Sequence, residues 1–354
     1  MCFPKKKSNP GSGQNAAIEK QIRADKRRQE KEVKILLLGA GESGKSTILK
    51  QMRLIHSTGF KTAERKSFRN VIFQNIVEAF LMMFYIMENQ KTAFEDEGNQ
   101  RYVELLQHER ELSLDESLPP EYLQCFKDLW ADMGIQMAIL KGNEYALHDN
   151  LNYFFEDLDR IFARDWLPSD QDILRTRLRT TGINDATFNT GALTYKMYDV
   201  GGQRSERKKW IHVFDSVQVV MFLAAISGYD QSLIEDRKGN QMIEALFLFE
   251  QIANSQYFTK SALILFLNKI DLFKEKVQSG LSPITRTFPD YAGHENDIDE
   301  AKQYFAKKFK KLVKDQRKEI YTHYTNATDT NLLKVTMRSV QDMIVQKNLN
   351  TLIL

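Results

Sequence analysis

The segment that most constrains this chain is Gly39-Ala40-Gly41-Glu42-Ser43-Gly44-Lys45-Ser46. It fits the pattern G-x-x-x-x-G-K-[ST], and its flanks suit it. The apolar run Val33 to Leu38 predicts a buried strand ending at Gly39, and a helix is expected to begin near Lys45. The glycines let backbone N–H groups close around phosphate oxygens at a helix N-terminus. Lys45 adds a point charge at the β- and γ-phosphates, and the Ser46 hydroxyl can ligate Mg²⁺. A strand, a phosphate loop and a helix in that order point to a sheet covered by helices and to a bound nucleotide. They do not say which base.

The rest of the chain divides by texture. Its 354 residues suggest about two domains. Ser67 to Met87 carries Val71, Ile72, Ile76, Ala79, Phe80 and Met83 at helical spacing. Pro119-Pro120 breaks the chain, and Glu121 to Leu140 and Leu151 to Phe162 again read as helices, so a mostly helical block is expected over about 61–170. Strand signals return at Leu193 to Val200, Val217 to Ile226, Ala262 to Leu267 and Ile320 to Tyr324. Helices are expected between them, near Met242 to Asn254 and Ile298 to Lys314. A last helix, Asn331 to Leu349, would carry Leu333, Met337, Val340 and Ile344 on one face. Such alternation predicts a doubly wound α/β sheet.

The first 32 residues are polar and basic. Pro4 to Gly13 reads as a flexible start, and a helix from about Asn15 has only Ile18 and Ile22 as an apolar face. A helix that polar needs a partner or a surface. Net charge is only +3, which gives no global field for nucleic acid. Cys2 and Cys125 cannot build a disulfide framework or a thiolate zinc site, which fits a reducing cytosol, and the histidines lack metal-ligand spacing. No run reaches the roughly 18 apolar residues of a membrane span. The longest candidate, Ala79 to Met87, is flanked by Glu78 and Glu88 and reads as part of a buried helix. Lys5, Lys6 and Lys7 are followed by Ser, Asn, Pro and Gly, not by the apolar run of a signal peptide.

Three further motifs stand behind the phosphate loop. Asn268-Lys269-Ile270-Asp271 follows an apolar run, and the Asp271 carboxylate can accept from both guanine N1–H and the exocyclic N2–H₂, a donor pair adenine lacks. Asn268 would tie nearby loops together, and the Lys269 stem would lie along the base. Asp199-Val200-Gly201-Gly202-Gln203 ends another strand. There Asp199 can reach Mg²⁺ through water, the Gly202 N–H can sense a γ-phosphate, and Gln203 can orient an attacking water. Arg175 to Gly182 (RTRLRTTG) is a solvated basic loop on a plain reading. On a functional reading Thr180 is a second hydroxyl ligand for Mg²⁺ and one arginine neutralises charge on the transferring phosphoryl group. Without the phosphate loop, Asn268 to Asp271 would read as a polar strand-end loop and Asp199 to Gln203 as a Gly-Gly turn between elements. A P-loop kinase or ATPase, or a GTP-binding scaffold that does not hydrolyse, are the other readings; Asp271 speaks against the first, and an arginine of the basic loop together with Gln203 against the second.

From about residue 30 to its end the chain resembles a heterotrimeric G-protein α subunit. The resemblance is carried by Leu36 to Leu54 (LLLGAGESGKSTILKQMRL), Ile173 to Gly182 (ILRTRLRTTG), Asp199 to His212 (DVGGQRSERKKWIH), Phe266 to Phe273 (FLNKIDLF) and Thr325 to Thr328 (TNAT). It implies a Ras-like doubly wound P-loop GTPase domain, 33–60 and 174–354, interrupted by an inserted all-helical domain, 61–173, after an N-terminal segment 1–32 that meets membrane and βγ dimer. It implies Arg177 as an intrinsic arginine finger, for which this family is the standing example. Gln203 would orient water, and Ser46 and Thr180 would hold Mg²⁺. The nucleotide site it implies comprises Glu42, Ser43, Gly44, Lys45, Ser46, Thr47, Asp149, Leu174, Arg175, Thr176, Arg177, Thr180, Asp199, Gly202, Asn268, Lys269, Asp271 and Ala327. GTP would order Arg177 to Thr181 and Gly202 to Trp210, and hydrolysis to GDP would release them. The implied partners are a βγ dimer, a seven-helix receptor, GTPase-accelerating proteins and effectors, at the cytoplasmic face of the plasma membrane with a cytosolic fraction.

The chain also departs from the family. Asn326 stands where members often have Cys, beside Ala327, which would alter nucleotide exchange. Arg237, Lys238 and Gly239 stand where the third switch is usually acidic, which puts its coupling to Ser205 to Trp210 in question. Residue 2 is Cys instead of the Gly that N-myristoylation needs, leaving Cys2 beside Lys5 to Lys7 as a candidate thioester-lipidation site. In the tail, Thr351 replaces the toxin-modified Cys of some relatives, and Leu349, Leu352, Ile353 and Leu354 offer an apolar hook for a receptor.

Overall fold

The structure, a computed structural model, describes residues 19–21, 32–108, 110–147, 149–190 and 193–353. Cys2, the Lys5 to Lys7 cluster and the flexible start lie outside the described residues, as do the side chains of the apolar hook. Of the helix expected from Asn15, only Glu19 to Gln21 are described, and they are helical.

In chain order the elements are β1 (Glu32–Leu38), α1 (Lys45–His56), α2 (Thr62–Gln90), α3 (Arg101–Gln107), α4 (Glu121–Ala131), α5 (Met133–Leu140), α6 (Leu151–Phe155), α7 (Leu158–Ile161) and α8 (Asp170–Arg175). Then come β2 (Ile183–Asn189), β3 (Thr194–Val200), β4 (Val219–Ala225), α9 (Gln241–Ala253), β5 (Ala262–Asn268), α10 (Ile270–Ser279), α11 (Ile298–Lys311), β6 (Ile320–Tyr324) and α12 (Thr330–Ile353). A 3-10 stretch covers Arg204–Val213.

The strands form one sheet in the order β2-β3-β1-β4-β5-β6. All pairs are parallel except β2 with β3, where Ile183 faces Val200 and Asn189 faces Thr194. Alternation assigns the two faces. Leu36 and Leu38 of β1, Val220, Phe222 and Ala224 of β4, and Leu263, Leu265 and Leu267 of β5 enter one core with α9, α10 and α11. Val33, Ile35 and Leu37, Val219, Met221 and Leu223, and Ala262, Ile264 and Phe266 enter the other, with α1 and α12. Every residue of β4 and β5 is buried, which is why these strands read as continuous apolar runs. Each such Leu, Ile or Phe contributes about 1.5–3 kcal/mol of transfer free energy. A third core runs from Ile72 to Trp166 and belongs to the helices alone. It is rich in aromatic rings, with Phe80 stacked on Phe126 at 5.3 Å and edge-on to Phe155 at 4.9 Å.

The structure corrects several expectations. β2 gives no apolar signal because it is an exposed edge on which only Phe188 is buried. The helix expected over Glu121 to Leu140 is two helices. Asp132 lies between them in extended conformation, and its carboxylate accepts from Gly134 N at 2.8 Å, Asn99 Nδ2 at 2.9 Å and the backbone of Glu95 at 3.2 Å. A buried carboxylate serving those donors caps the second helix and stops the first. Leu151 to Phe162 likewise breaks, at Asp157. α2 is longer and more apolar than expected: at 29 residues and a mean hydropathy of 1.5 in its best window, it is long and apolar enough to cross a membrane. Ile72, Phe73, Ile76, Phe80 and Met83 instead place it at the centre of the helical core.

Candidate functional site

β1 lies between β3 and β4, so the loop after it opens at the point where strand order reverses, outside the carboxyl ends of the strands. Gly39 to Gly44 makes this turn and α1 starts at Lys45. Gly44 has φ +96, and a Cβ there would lie 2.3 Å from Asn268 Nδ2, so the loop needs glycine for both conformation and space. Lys45 Nζ curls back over the loop, donating to Gly39 O at 3.0 Å, Ala40 O at 2.8 Å and Ser43 Oγ at 3.3 Å. Burial pushes its ammonium down to about 8, against the pull of Asp199 and Glu42.

At the second residue of α1, Ser46 Oγ lies 2.6 Å from Thr180 Oγ1 and donates to Asp199 Oδ2 at 2.6 Å, and Thr180 Oγ1 lies 3.4 Å from the same oxygen. Asp199 is 1% exposed at the end of β3, and its Oδ1 has no hydrogen-bond partner. Burial raises its carboxyl above the ordinary range, opposed by Lys45 and the two hydroxyls. Among the described residues no three His, Cys, Asp or Glu side chains form a metal cage. Two hydroxyls and one under-bonded carboxylate are instead hard oxygen donors, of the type that serves a small divalent cation keeping waters and phosphate oxygens of its own.

A cleft opens around this cluster. Glu42 to Thr47, Asp149, Leu174 to Thr176, Arg177, Thr180, Gly202, Gln203 and Lys269 all line it. Arg177 Nε meets Glu42 Oε1 at 3.1 Å, and its backbone N–H is held by Asn75 Oδ1 at 2.8 Å, a residue of α2. Gln203 packs over the phosphate loop, since a Cβ on Gly41 would sit 3.4 Å from its Cγ. Gly202 approaches closer still: a Cβ there would lie 2.4 Å from Lys45 Nζ and 2.6 Å from Ala40 O. Its glycine is a requirement of that contact.

A second cavity, about 970 Å³, shares Gly44, Asp149 and Lys269 with the first and adds Asn268, Asp271, Asn326 and Ala327. Asn268 joins three segments here. Its Nδ2 donates to Ser43 O at 2.9 Å, and its Oδ1 accepts from Thr325 Oγ1 at 3.1 Å and Ala327 N at 3.0 Å. Lys269 Nζ reaches across to Asp149 Oδ2 at 2.7 Å. Burial alone would raise Asp149, but Lys269 and Lys276 hold its carboxyl at about 2. Gln231 Nε2 donates to its other oxygen at 2.8 Å.

The segment after Gly202 is tied on three sides. Glu206 Oε2 accepts from Gly182 N at 3.0 Å, linking it to the loop that carries Thr180. Trp210 Nε1 donates to Gly201 O at 2.8 Å from a buried ring. Arg204 and Arg207 converge on Glu244 of α9 at 2.7 and 2.6 Å. Arg204 also meets Asp236 at 3.2 Å, and its backbone N–H meets Glu235 at 3.3 Å. The basic replacement at Arg237 does not oppose these pairs. Its guanidinium turns to the helical block, 4.5 Å from the Tyr85 ring and 2.7 Å from Tyr85 Oη.

The residues singled out for the nucleotide site thus line two cavities that share Gly44, Asp149 and Lys269, with Asp199 beneath them; Cys2 lies outside the described residues. Sequence reasoning missed Lys50, Asn75, Asn150 and Gln231. Lys50 is one helical turn from Ser46, and its buried ammonium donates to Ile173 O at 2.9 Å and Thr176 O at 3.1 Å. That spacing was the available signal; the other three lie on separate segments and gave none.

A phosphate cradle at one end of a cleft and a carboxylate loop for the base at the other define a P-loop guanine-nucleotide-binding protein. The family model "G-protein alpha subunit" matches residues 12–344, and the chain belongs to that family. It is 57% identical to the guanine nucleotide-binding protein alpha-2 subunit of Neurospora crassa over the whole of both chains. It is 46% identical to the protein of that name from Mycosarcoma maydis, over 98% of this chain and 96% of the relative. It is 47% identical to a G-protein complex alpha subunit of Aspergillus fumigatus, over 98% of each. The chain is accordingly a GTP-binding, GTP-hydrolysing signalling switch of the heterotrimeric type, with a Ras-like domain and a helical domain.

Proposed function

We propose that GTP and Mg²⁺ occupy the cleft together, with Ser46 and Thr180 as metal ligands, Arg177 as the arginine finger and Gln203 as the residue that orients the attacking water. The supporting observation is the meeting of Lys45, the Ser46–Thr180–Asp199 oxygens, Arg177 and Gln203 around one cleft. The metal, when bound, neutralises charge on the β- and γ-phosphate oxygens. The chain's own groups do the rest. Loop N–H groups and Lys45 hold the phosphates, and Asp271 reads the base. Arg177 exchanges Glu42 for phosphate oxygens, at low cost because a part-exposed pair of this kind is worth about 1 kcal/mol or less. Gly202, pressed against the loop, senses the γ-phosphate and transmits it to Gln203 and Trp210.

Single-turnover hydrolysis tests the roles. Arg177→Cys should slow hydrolysis by about 10³-fold or more, and Gln203→Leu should also slow it strongly, both with GTP binding retained. Wild-type rates in both variants would reject the assignment. ATP competing as well as GTP would instead favour the kinase or ATPase reading.

On the same reading residues 61–173 are an inserted domain within 33–60 and 174–354, and 1–32 meets the βγ dimer. The partners are that dimer, a seven-helix receptor, GTPase-accelerating proteins and effectors at the cytoplasmic membrane face; family membership supports this. Cys2 would carry a thioester-linked chain beside the basic cluster Lys5 to Lys7, since stable anchoring takes two signals. Cys2→Ser should move the chain to the soluble fraction when βγ is absent. Full membrane retention of that variant would sink the lipid proposal.

A further inference from the structure

The turn from β6 into α12 passes over the base end of the cleft and contains Asn326, where many family members have Cys. The Asn326 side-chain oxygen accepts from Thr328 N at 2.9 Å and from Thr328 Oγ1 at 2.8 Å. Two donors on one oxygen settle which way the amide faces, because the flipped amide would set N–H₂ against a backbone N–H. The amide nitrogen is thereby left facing Asp271 and donates to its Oδ2 at 2.8 Å. The other oxygen of that carboxylate, Oδ1, is buried and has no hydrogen-bond partner. Thr328 is itself held from α8, where Gln171 Nε2 donates to its carbonyl at 3.3 Å.

A carboxylate has about four lone-pair sites. Asn326 occupies one, fixes the plane of the group against rotation, and leaves Oδ1 and the rest of Oδ2 for a ligand with two adjacent donors. A cysteine at this position has only a weak S–H donor and would hold the plane poorly. We infer that Asn326 is a positioning residue for Asp271 and sets how strongly the site prefers a base with both N1–H and N2–H₂ over one lacking the exocyclic amine. The inference rests on Asp271 being the guanine reader.

The test is equilibrium competition of GDP, IDP and ADP against fluorescent GDP on the full chain. IDP keeps N1–H and the carbonyl near Ala327 but lacks N2–H₂. Asn326→Ala removes both the donor and the acceptor. Asn326→Asp keeps an oxygen for Thr328, so the turn survives, but it replaces the donor to Asp271 with a second carboxylate that repels it. Asn326→Ala is expected to lose GDP affinity by about tenfold, the usual scale for one hydrogen bond to a charged group, and Asn326→Asp by at least as much, with IDP affected severalfold less in both. The GDP/IDP ratio therefore falls. Equal losses for GDP and IDP would overturn the inference and leave Asn326 as a loop brace only. Wild type failing to prefer GDP over ADP would overturn the guanine reading of Asp271 itself, which is a separate result.

Discussion

Lys45 is buried among the carbonyls of its own loop, and its ammonium, ordinarily at 10.5, is pushed down to about 8. Between those values the unfolded chain holds a proton that the folded chain has released, so the stability of the nucleotide-free protein rises with pH there. Below about 8 both states are protonated, and the cost of the buried charge is felt in full. On the proposed reading phosphate oxygens add negative charge beside that ammonium, so binding would take up a proton above pH 8 or so. GDP affinity is therefore expected to be level below about pH 8 and to fall by up to tenfold per pH unit above it. Lys50 is pushed down to about 8 by the same burial, with its ammonium held by Ile173 O and Thr176 O. Titrating affinity from about pH 7 to pH 9.5 checks this, and a flat curve would overturn it. The roles of Lys45, Asp271 and Gln203 are suggested by motif spacing alone. Lys50 and Asn75 escaped notice because a lysine holding two carbonyls, or an asparagine holding one N–H, leaves no mark in the spacing of chemistry-bearing residues.

Among the elements, the 3-10 stretch Arg204–Val213 is the one placed to move. Two residues before it, Gly202 presses on the phosphate loop, and the stretch itself meets the Thr180 loop through Glu206 and α9 through Arg204 and Arg207. On the proposed reading a γ-phosphate against Gly202 shifts the adjoining Gly201 carbonyl, to which Trp210 Nε1 is bonded. Tryptophan emission is expected to change when a non-hydrolysable GTP analogue replaces GDP with Mg²⁺ present. Trp166 lies in the helical core and Trp130 stacks on Phe155 at 4.2 Å, so both should report little. Trp210→Phe retaining the full signal would refute this description of the switch. At this scale the buried strands were plain because they are apolar on both faces. β2 and the break at Asp132 were not, since an exposed edge strand has no apolar run and a side-chain cap depends on donors brought from residues 95–99.

Across the whole molecule, the helical block and the sheet meet along the cleft through a short set of polar ties. Lys269 pairs with Asp149, Gln231 donates to Asp149, Asn150 Nδ2 donates to Arg175 O at 2.9 Å, and Ser232 N donates to Asn143 O at 2.9 Å. Arg237 adds a cation over Tyr85 at 4.5 Å and over Tyr145 at 5.4 Å. Among the described residues the helical core is a buried cluster of its own, separate from those on the two faces of the sheet. Opening the cleft breaks these ties together with those of Asn75 to Arg177 N, Lys50 to Ile173 O and Gln171 to Thr328 O. Asp149→Ala is expected to speed GDP release by about tenfold, the scale of a hydrogen-bonded ion pair that is partly buried. Arg237→Ala should add a smaller, separate increase, since a cation–π contact at an exposed site is worth about 0.5–1 kcal/mol. Stopped-flow release from the two single variants and the double variant checks both effects; unchanged release in the double variant would reject these ties as the clasp.

The sequence by itself determined the chemistry and the architecture, because both are written in local patterns. A phosphate loop needs its glycines and lysine within eight residues, and a strand buried on both faces needs an unbroken apolar run. Only the tertiary structure decided which side chains from distant segments share one oxygen or one ring. The pairing of Asn326 with Asp271, of Arg237 with Tyr85, and of Ser46 with Thr180 and Asp199 joins residues 55, 152, 134 and 153 positions apart. Hydrogen bonds and ion pairs act over a few ångströms in space, so chain distance carries no information about them until the fold brings the groups together.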